Sequence, residues 1–584
     1  MKFLTAAVTA TCLVAAAPVM AQEARPNIVV ILADDVGFSD LGAYGSEIST
    51  PNIDALAARG ALFSNFHASP VCAPSRAMLL TGMTSHLAGV GNLPETLPPQ
   101  HQGAPGYLGR LADDVVTVAA LLQKAGYRTA VTGKWHLGHT PSALPPSHGF
   151  DRSFVLDASG ADNWEQRSYL PIYSDAPWFE DGEAASLPED FYSSQFIVDK
   201  AIDYIEEGEG ASTPFFAYLA FQAVHIPVQA PREFVEKYEG VYAEGWEVLR
   251  RARFENVVAR GLMPESMELG PMPDGLRAWE ALSDRERALF AKSMAVNAGM
   301  LEAMDHHIGR FIEHLKKRGD FENTVFFVLS DNGPEPNAPT DIPGFAQWLW
   351  WEGYSRDLDT LGEKGTYAFI GPEFASAAAS PGAFFKLYAG EGGIRAPFIV
   401  AGAGIPAAGH VGDFSFITDI APTILDLANV EQVTEFDGRA VKPMTGRSLM
   451  PLLAGVTPHY GPEDSVGLEA AGNAALFRGN YKLVRNMPPY GDGAWYLYDI
   501  AIDPGEARNL AAERPALFAK MRAEYDRFAS DAGVLEIPEG YEQMAQLSKK
   551  WMEENGWYIA AVLLALLYLL AAAGFGVKRL IRRS

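Results

Sequence analysis

The feature that most limits how this chain can fold is a set of apolar runs that each lead into ionisable residues. Asn27–Ala33 is a continuous apolar stretch of the kind buried on both faces in parallel sheets, and it stops at Asp34-Asp35. Residues 128–132 lead into Gly133-Lys134-Trp135-His136-Leu137-Gly138, and residues 214–221 into Gln222-Ala223-Val224-His225. Thr324–Ser330 ends in Asp331-Asn332-Gly333, and a fifth run, 397–401, follows Glu391-Gly392-Gly393-Ile394-Arg395. Helical stretches alternate with them. Thr50-Pro51 opens one as N-cap and first-turn proline, Gly60 closes it, and another spans 116–124. The pattern predicts an α/β fold with a large mixed, mainly parallel sheet sandwiched by helices. In such sheets ligand sites form beyond the carboxyl ends of the strands. Asp and Asn also terminate strands for local reasons, but four such ends in one chain point to a shared site.

From about residue 437 the texture changes to short β-like pieces, 475–484 and 495–500, followed by Asp503-Pro504-Gly505-Glu506. A helix over 515–528 would carry Leu517, Met521, Tyr525 and Phe528 on one stripe. This predicts a smaller C-terminal α+β domain. The expected organisation is a leader over 1–21, the α/β domain over 22–436, the α+β subdomain over 437–545 and a linker over 546–555. A membrane span over 556–577 and a basic tail over 578–584 complete it.

The two ends set the compartment. Lys2 and the apolar stretch 4–19, closed by Val19-Met20-Ala21, have the form of a cleaved secretory leader. Residues 556–577 carry no charge, close to the ~20 residues that cross a bilayer. Lys578, Arg579, Arg582 and Arg583 follow directly and belong on the cytoplasmic side. The expected location is therefore periplasmic, with the body held at the inner membrane by a C-terminal helix. The chain's formal net charge is −26, and without Lys2 and the four basic tail residues it is −31. So acidic a body excludes nucleic acid and anionic lipid as partners of its general surface.

Asp34, Asp35, Asp331 and Asn332 offer only oxygen, which suits a hard cation such as Ca²⁺ or Mg²⁺ and argues against zinc. Adjacent carboxylates at a strand end also repel unless something positive neutralises them.

Past the leader, which holds Cys12, a single cysteine remains, so neither an internal disulfide nor a thiolate metal site can form. That residue, Cys72, lies in Val71-Cys72-Ala73-Pro74-Ser75-Arg76, with Leu79-Leu80-Thr81-Gly82 close behind. This string resembles the maturation signature of the type I sulfatases of the alkaline phosphatase superfamily. The resemblance spans roughly residues 26 to 530 and is nearest to the arylsulfatase branch. It implies that a formylglycine-generating enzyme oxidises Cys72 to formylglycine. One hydroxyl of the aldehyde hydrate then attacks the sulfur of a sulfate ester and the alcohol leaves; the second hydroxyl next loses its proton, and sulfate is expelled as the aldehyde reforms. It further implies Ca²⁺ held by Asp34, Asp35, Asp331 and Asn332, with residue 72 touching the ion. Arg76 would hold the hydrate, and Lys134 would contact the sulfate. His136 would act as base, and His225 and Lys386 would assist the leaving group. Asp331 would also activate the attacking hydroxyl. The place of Lys386 rests on its distance before Gly392-Gly393-Ile394-Arg395.

Substrate selection is expected from 93–113, 159–188, 231–284 and the group Trp348-Leu349-Trp350-Trp351. These tryptophans would form either an apolar rim for the leaving group or packing in the core. Two other functions fit the same motifs. One is a phosphonate monoester or phosphodiester hydrolase of the same superfamily; the other is a silent, tethered binding protein on this scaffold.

Overall fold

The computed structural model describes residues 25–207, 213–342, 344–543 and 545–552, with Leu564 and Tyr568 beyond them. The leader, the basic tail and, apart from those two residues, the 556–577 run lie outside the described residues. Among the described residues no helix is long and apolar enough to cross a membrane.

A ten-stranded mixed sheet forms the body. At its centre lies β1 (Asn27–Ala33), with every residue buried, as its unbroken apolar run requires. Beyond it in chain order come β2 (Arg128–Lys134), β3 (Phe215–Ala220), β4 (Thr324–Ser330) and β5 (Phe398–Gly402). β1 pairs in parallel with β3 on one side and β4 on the other, and β3 pairs in parallel with β2. β5 runs antiparallel to β4, so of these five strands the first four point the same way. Their register is level. Leu32 and Gly133 both face Ala220, and Ala33 faces Ser330. The residues just past these ends therefore meet along one edge.

β2 runs two residues further than its apolar pattern, through Gly133 and Lys134. Gly133 makes this possible. Its φ of +102° suits glycine, and a Cβ there would lie 1.9 Å from the Ala220 carbonyl oxygen. The helix Pro51–Ala57 and the helix Val118–Lys124 stand where the sequence places helices. The 35-residue helix Asp284–Arg318 opens on a Ser283–Glu286 capping box.

The C-terminal part is a four-stranded antiparallel sheet, Ser465–Ala470, Asn473–Arg478, Tyr481–Arg485 and Trp495–Asp499, covered by helix Pro515–Ala532. The 475–484 piece is a hairpin and not one strand, because Gly479 (φ +52°) turns the chain. Met521 and Tyr525 bury against Leu476, Leu483 and Leu497, while Leu517 and Phe528 pack at the margin. A buried ionic cluster joins this sheet to the body. Lys482 Nζ donates to Glu391 and lies 2.8 Å from Glu506, and Glu391 also accepts from Arg395 and faces His67. Residues 545–552, in the stretch read from sequence mostly as linker, are helical.

Candidate active site

The ten residues singled out from sequence come together at the carboxyl edge of the sheet, and none is more than 3% exposed. Asp34 and Asp35 follow β1, and Asp331 and Asn332 follow β4. Lys134 ends β2, and His136 lies two residues on. Cys72 is the first residue of helix α1 (Cys72–Thr81), where the helix's positive end points. Arg76 is one turn further along the same face. Two of these residues, Asp35 (φ 68°) and His136 (φ 59°), have left-handed backbone without being glycine. Such strain is held in place by the surrounding structure and clusters at working sites.

One ligand atom from each of Asp34, Asp35, Cys72 and Asp331 lies within 4.8 Å of the others. Around this cluster the cations are fixed. Lys134 Nζ donates to Asp34 Oδ2 at 2.6 Å. Arg76 donates through Nε and Nη2 to Asp331 Oδ2, at 3.1 and 2.8 Å, and through Nη1 to the Lys134 carbonyl at 2.7 Å. Lys386 Nζ donates to Asp35 Oδ2 at 2.9 Å and to Glu335 Oε2 at 2.7 Å. Asn332 Nδ2 donates to Asp35 Oδ1 at 2.6 Å. Two acceptors in this crowd, Asp34 Oδ1 and Asn332 Oδ1, are buried without a hydrogen bond, with Arg76 Nη2 3.5 Å from the first. Buried polar atoms are rarely left so. Two unmet oxygens beside two further carboxylates form a donor set that fits a hard divalent cation.

Electrostatics follow from burial and crowding. Burial pushes Asp35 well up, with Lys386 opposing and Asp34 adding, and burial beside Asp34 raises Asp331 as well. Burial would also raise Asp34, but Lys134 and Arg76 outweigh it and hold that carboxyl well below its ordinary value. Burial drives the Cys72 thiol up against the pull of Lys134 and Lys386. Both lysines would be lowered by burial, yet Asp34 lifts Lys134 and Asp35 lifts Lys386. Burial, with Lys386 and Lys134 nearby, pushes His225 well down. Its Nδ1 lies 2.7 Å from the Ile226 carbonyl and donates to it, leaving Nε2 3.8 Å from Asp35 and 3.7 Å from Glu335.

Two carboxylates escaped the sequence reading. Glu335 lies four residues after Asp331 on the same loop, a proximity that offered a signal. Glu95 had none. It sits 3.1 Å from His136 Nε2 and accepts from Tyr173, while His136 Nδ1 is buried without a partner. Burial would raise Glu95, but His136 opposite outweighs it and holds the carboxyl at about 2. Of the tryptophan group, Trp348 packs partly buried against the core, and Trp350 and Trp351 do not pack into it. Leu349 is buried, Trp348 lines the cavity above Cys72, and Trp350 and Trp351 are 78% and 72% exposed.

Residues 26–430 match the family model described as Sulfatase. An uncharacterized sulfatase of Schizosaccharomyces pombe is 36% identical over 535 residues, spanning 89% of this chain and 96% of its own. An arylsulfatase of Klebsiella aerogenes is 35% identical over 436 residues, spanning 74% of this chain and 92% of its own. Among solved structures, Ps i-CgsB in complex with a neocarrahexaose shares the fold, with a TM-score of 0.62 at 22% identity over 90% of this chain and 98% of that one. The carboxyl-edge cluster thus lies in a chain that belongs to the sulfatase family, the sulfuric ester hydrolases.

Proposed function

We propose that this enzyme hydrolyses sulfate monoesters, with aryl sulfates as its simplest substrates, using formylglycine made from Cys72 and a divalent cation, Ca²⁺ or Mg²⁺. The observation that carries the reading is the cluster of Cys72 with three carboxylates within 4.8 Å, flanked by two unmet acceptor oxygens. Asp34, Asp35, Asp331 and Asn332 would hold the cation, with residue 72 beside it. When bound, the cation supplies positive charge where negative charge gathers on the sulfate oxygens. Formylglycine supplies an oxygen nucleophile that a thiol cannot.

The chain's own groups carry the rest. Arg76, locked by Asp331 and the Lys134 carbonyl, is rigid and orients residue 72. Lys134 and Lys386 bring fixed positive charge to the sulfate. Glu95 holds His136 by Nε2, which leaves Nδ1 as the atom that takes the proton from residue 72 when sulfate is expelled. The Ile226 carbonyl holds His225 by Nδ1, which fixes the ring with Nε2 turned towards Asp35 and Glu335.

We further infer that the body is exported and tethered through residues 556–577. The charge-free run followed by four basic residues supports this, as do Leu564 and Tyr568, both helical and exposed.

The test compares hydrolysis of p-nitrophenyl sulfate with that of an aryl phosphonate monoester, using protein purified from its native host. We expect a clear preference for sulfate, loss of turnover on chelation with recovery on adding Ca²⁺, and none in a folded Cys72→Ala variant. Preference for phosphonate would overturn the substrate assignment. Undiminished turnover by Cys72→Ala would overturn the nucleophile.

A further inference from the structure

The cavity that ends at Cys72 has a volume of about 320 Å³, enough for a small organic body. Besides Cys72, its ionic lining is His225, Glu335, Lys386 and Glu95, of which Glu335 and Lys386 are bonded to each other and His225 faces both Asp35 and Glu335. The remaining wall is largely apolar: Ile172, Ile342, Phe345 and Trp348 come from the body, and Leu547 and Trp551 from the 545–552 helix. A sugar would bring several hydroxyls into this space, and each one buried without a partner is costly. The neutral polar groups here are few and partly engaged. Ser159 Oγ, for instance, is already bonded to Tyr169 and Tyr173 at 2.6 and 2.9 Å.

The wall also lies near the tether. Met552 lines the cavity, and residues 553–555 alone separate it from the charge-free run. Even fully extended, that connection reaches only about 14 Å. The exposed Trp350 and Trp351 lie on the same short helix, Phe345–Trp351, that supplies Phe345 and Trp348 to the wall. Exposed tryptophans beside an apolar mouth suit a lipid interface.

We propose that the substrate is an amphiphilic sulfate monoester, its sulfate at Cys72 and its apolar body against the 545–552 helix, drawn from the surface of the membrane that tethers the enzyme. The proposal rests on the sulfatase reading and on the 556–577 anchor.

The test uses the full chain from its native host, in phosphatidylcholine vesicles, with 4-alkylphenyl sulfates of increasing chain length and N-acetylgalactosamine 6-sulfate. We expect kcat/KM to rise about fourfold for each methylene the cavity buries, and the sugar sulfate to fall far below the series. Leu547→Asp and Trp551→Asp should each flatten the rise by about tenfold or more across the series. For the longest ester, diluting it with neutral lipid at constant bulk concentration should lower the rate. A flat series, or preference for the sugar, alongside good turnover of p-nitrophenyl sulfate would overturn this proposal while leaving the sulfatase reading intact. A rate that follows bulk and not surface concentration would overturn delivery from the membrane. No turnover of any sulfate would overturn the reading beneath it.

Discussion

Replacing Lys386 with methionine tests the one site residue that the sequence places by spacing alone. Methionine keeps most of the volume, so packing changes little, and what is lost is one buried charge. That charge now donates to Asp35 at 2.9 Å and Glu335 at 2.7 Å. Breaking a buried ion pair by removing one partner costs about 3–5 kcal/mol. A bound divalent cation would still neutralise Asp35, so the loss should be near the low end with Ca²⁺ and near the high end in chelator. Removing one preorganised group that meets developing charge costs about 10²–10³ in kcat, or about 3–4 kcal/mol. The assay is steady-state hydrolysis of p-nitrophenyl sulfate with thermal unfolding, each with Ca²⁺ and with chelator. Lys386→Arg serves as a companion that keeps the charge. A kcat within threefold of the parent, in a protein that still loads cation, would refute a place for Lys386 at the reacting group. Equal destabilisation with and without Ca²⁺ would refute cation binding at Asp35.

Three further perturbations probe other parts of the site and its frame. Glu95→Gln keeps an acceptor for His136 Nε2 but removes the carboxylate, so kcat should fall about tenfold or more with KM nearly unchanged; a change confined to KM would assign Glu95 to substrate binding. Gly133→Ala would drive a Cβ to 1.9 Å from the Ala220 carbonyl oxygen, displacing Lys134 and costing on the order of 3 kcal/mol; an unfolding midpoint matching the parent's would show that this edge can yield. His67 is lowered to about 4 from 6.5 by burial, with Arg395 and Lys482 adding and Glu391 opposing. The unfolded chain therefore binds the extra proton, so this contribution is complete above pH 6.5 and lost as pH falls towards 4. It amounts to about 3 kcal/mol, and His67→Phe should give a flatter urea-midpoint profile between pH 7 and 4.5.

The parts of the fold legible in the sequence are those governed by local burial. β1 and β4 are unbroken apolar runs because both faces are covered, and their ends stood out because carboxylates follow at once. β2 was read two residues short, since Gly133 and Lys134 are shaped by contacts with β3 and by the Asp34 ion pair, neither of which leaves a periodic trace. Gly479 concealed a hairpin for a similar reason: a lone glycine inside an apolar run marks a turn only when a partner strand is available. Glu95 reaches His136 from a loop 41 residues earlier in the chain, so its role belongs to tertiary structure alone. The 545–552 helix was legible in part. Leu547 and Trp551 are four apart, a helical stripe, but nothing local says that the stripe faces a cavity over Cys72.

An acidic chain that must bind an anion looks self-defeating until the charges are counted where they act. The general surface repels an approaching sulfate, but beyond roughly 10 Å salt screens that field, while in a dry pocket the nearest charges dominate. Among the groups ion-paired at the carboxyl edge, Arg76, Lys134 and Lys386 stand against Asp34, Asp35, Asp331 and Glu335, one negative charge in excess when all are ionised, with Glu95 outside this set and facing His136. A divalent cation bound there would turn that into one positive charge. A sulfate monoester, with a single negative charge, would then balance this set, whereas a fully ionised phosphate monoester would bury an unpaired charge at a cost of several kcal/mol. The same count explains why four carboxylates belong in an anion site. They pin the lysines, and three of them, Asp34, Asp35 and Asp331, would hold the cation. A phosphonate monoester carries the same single charge, so the ratio of rates on the two esters, not the charge, separates them.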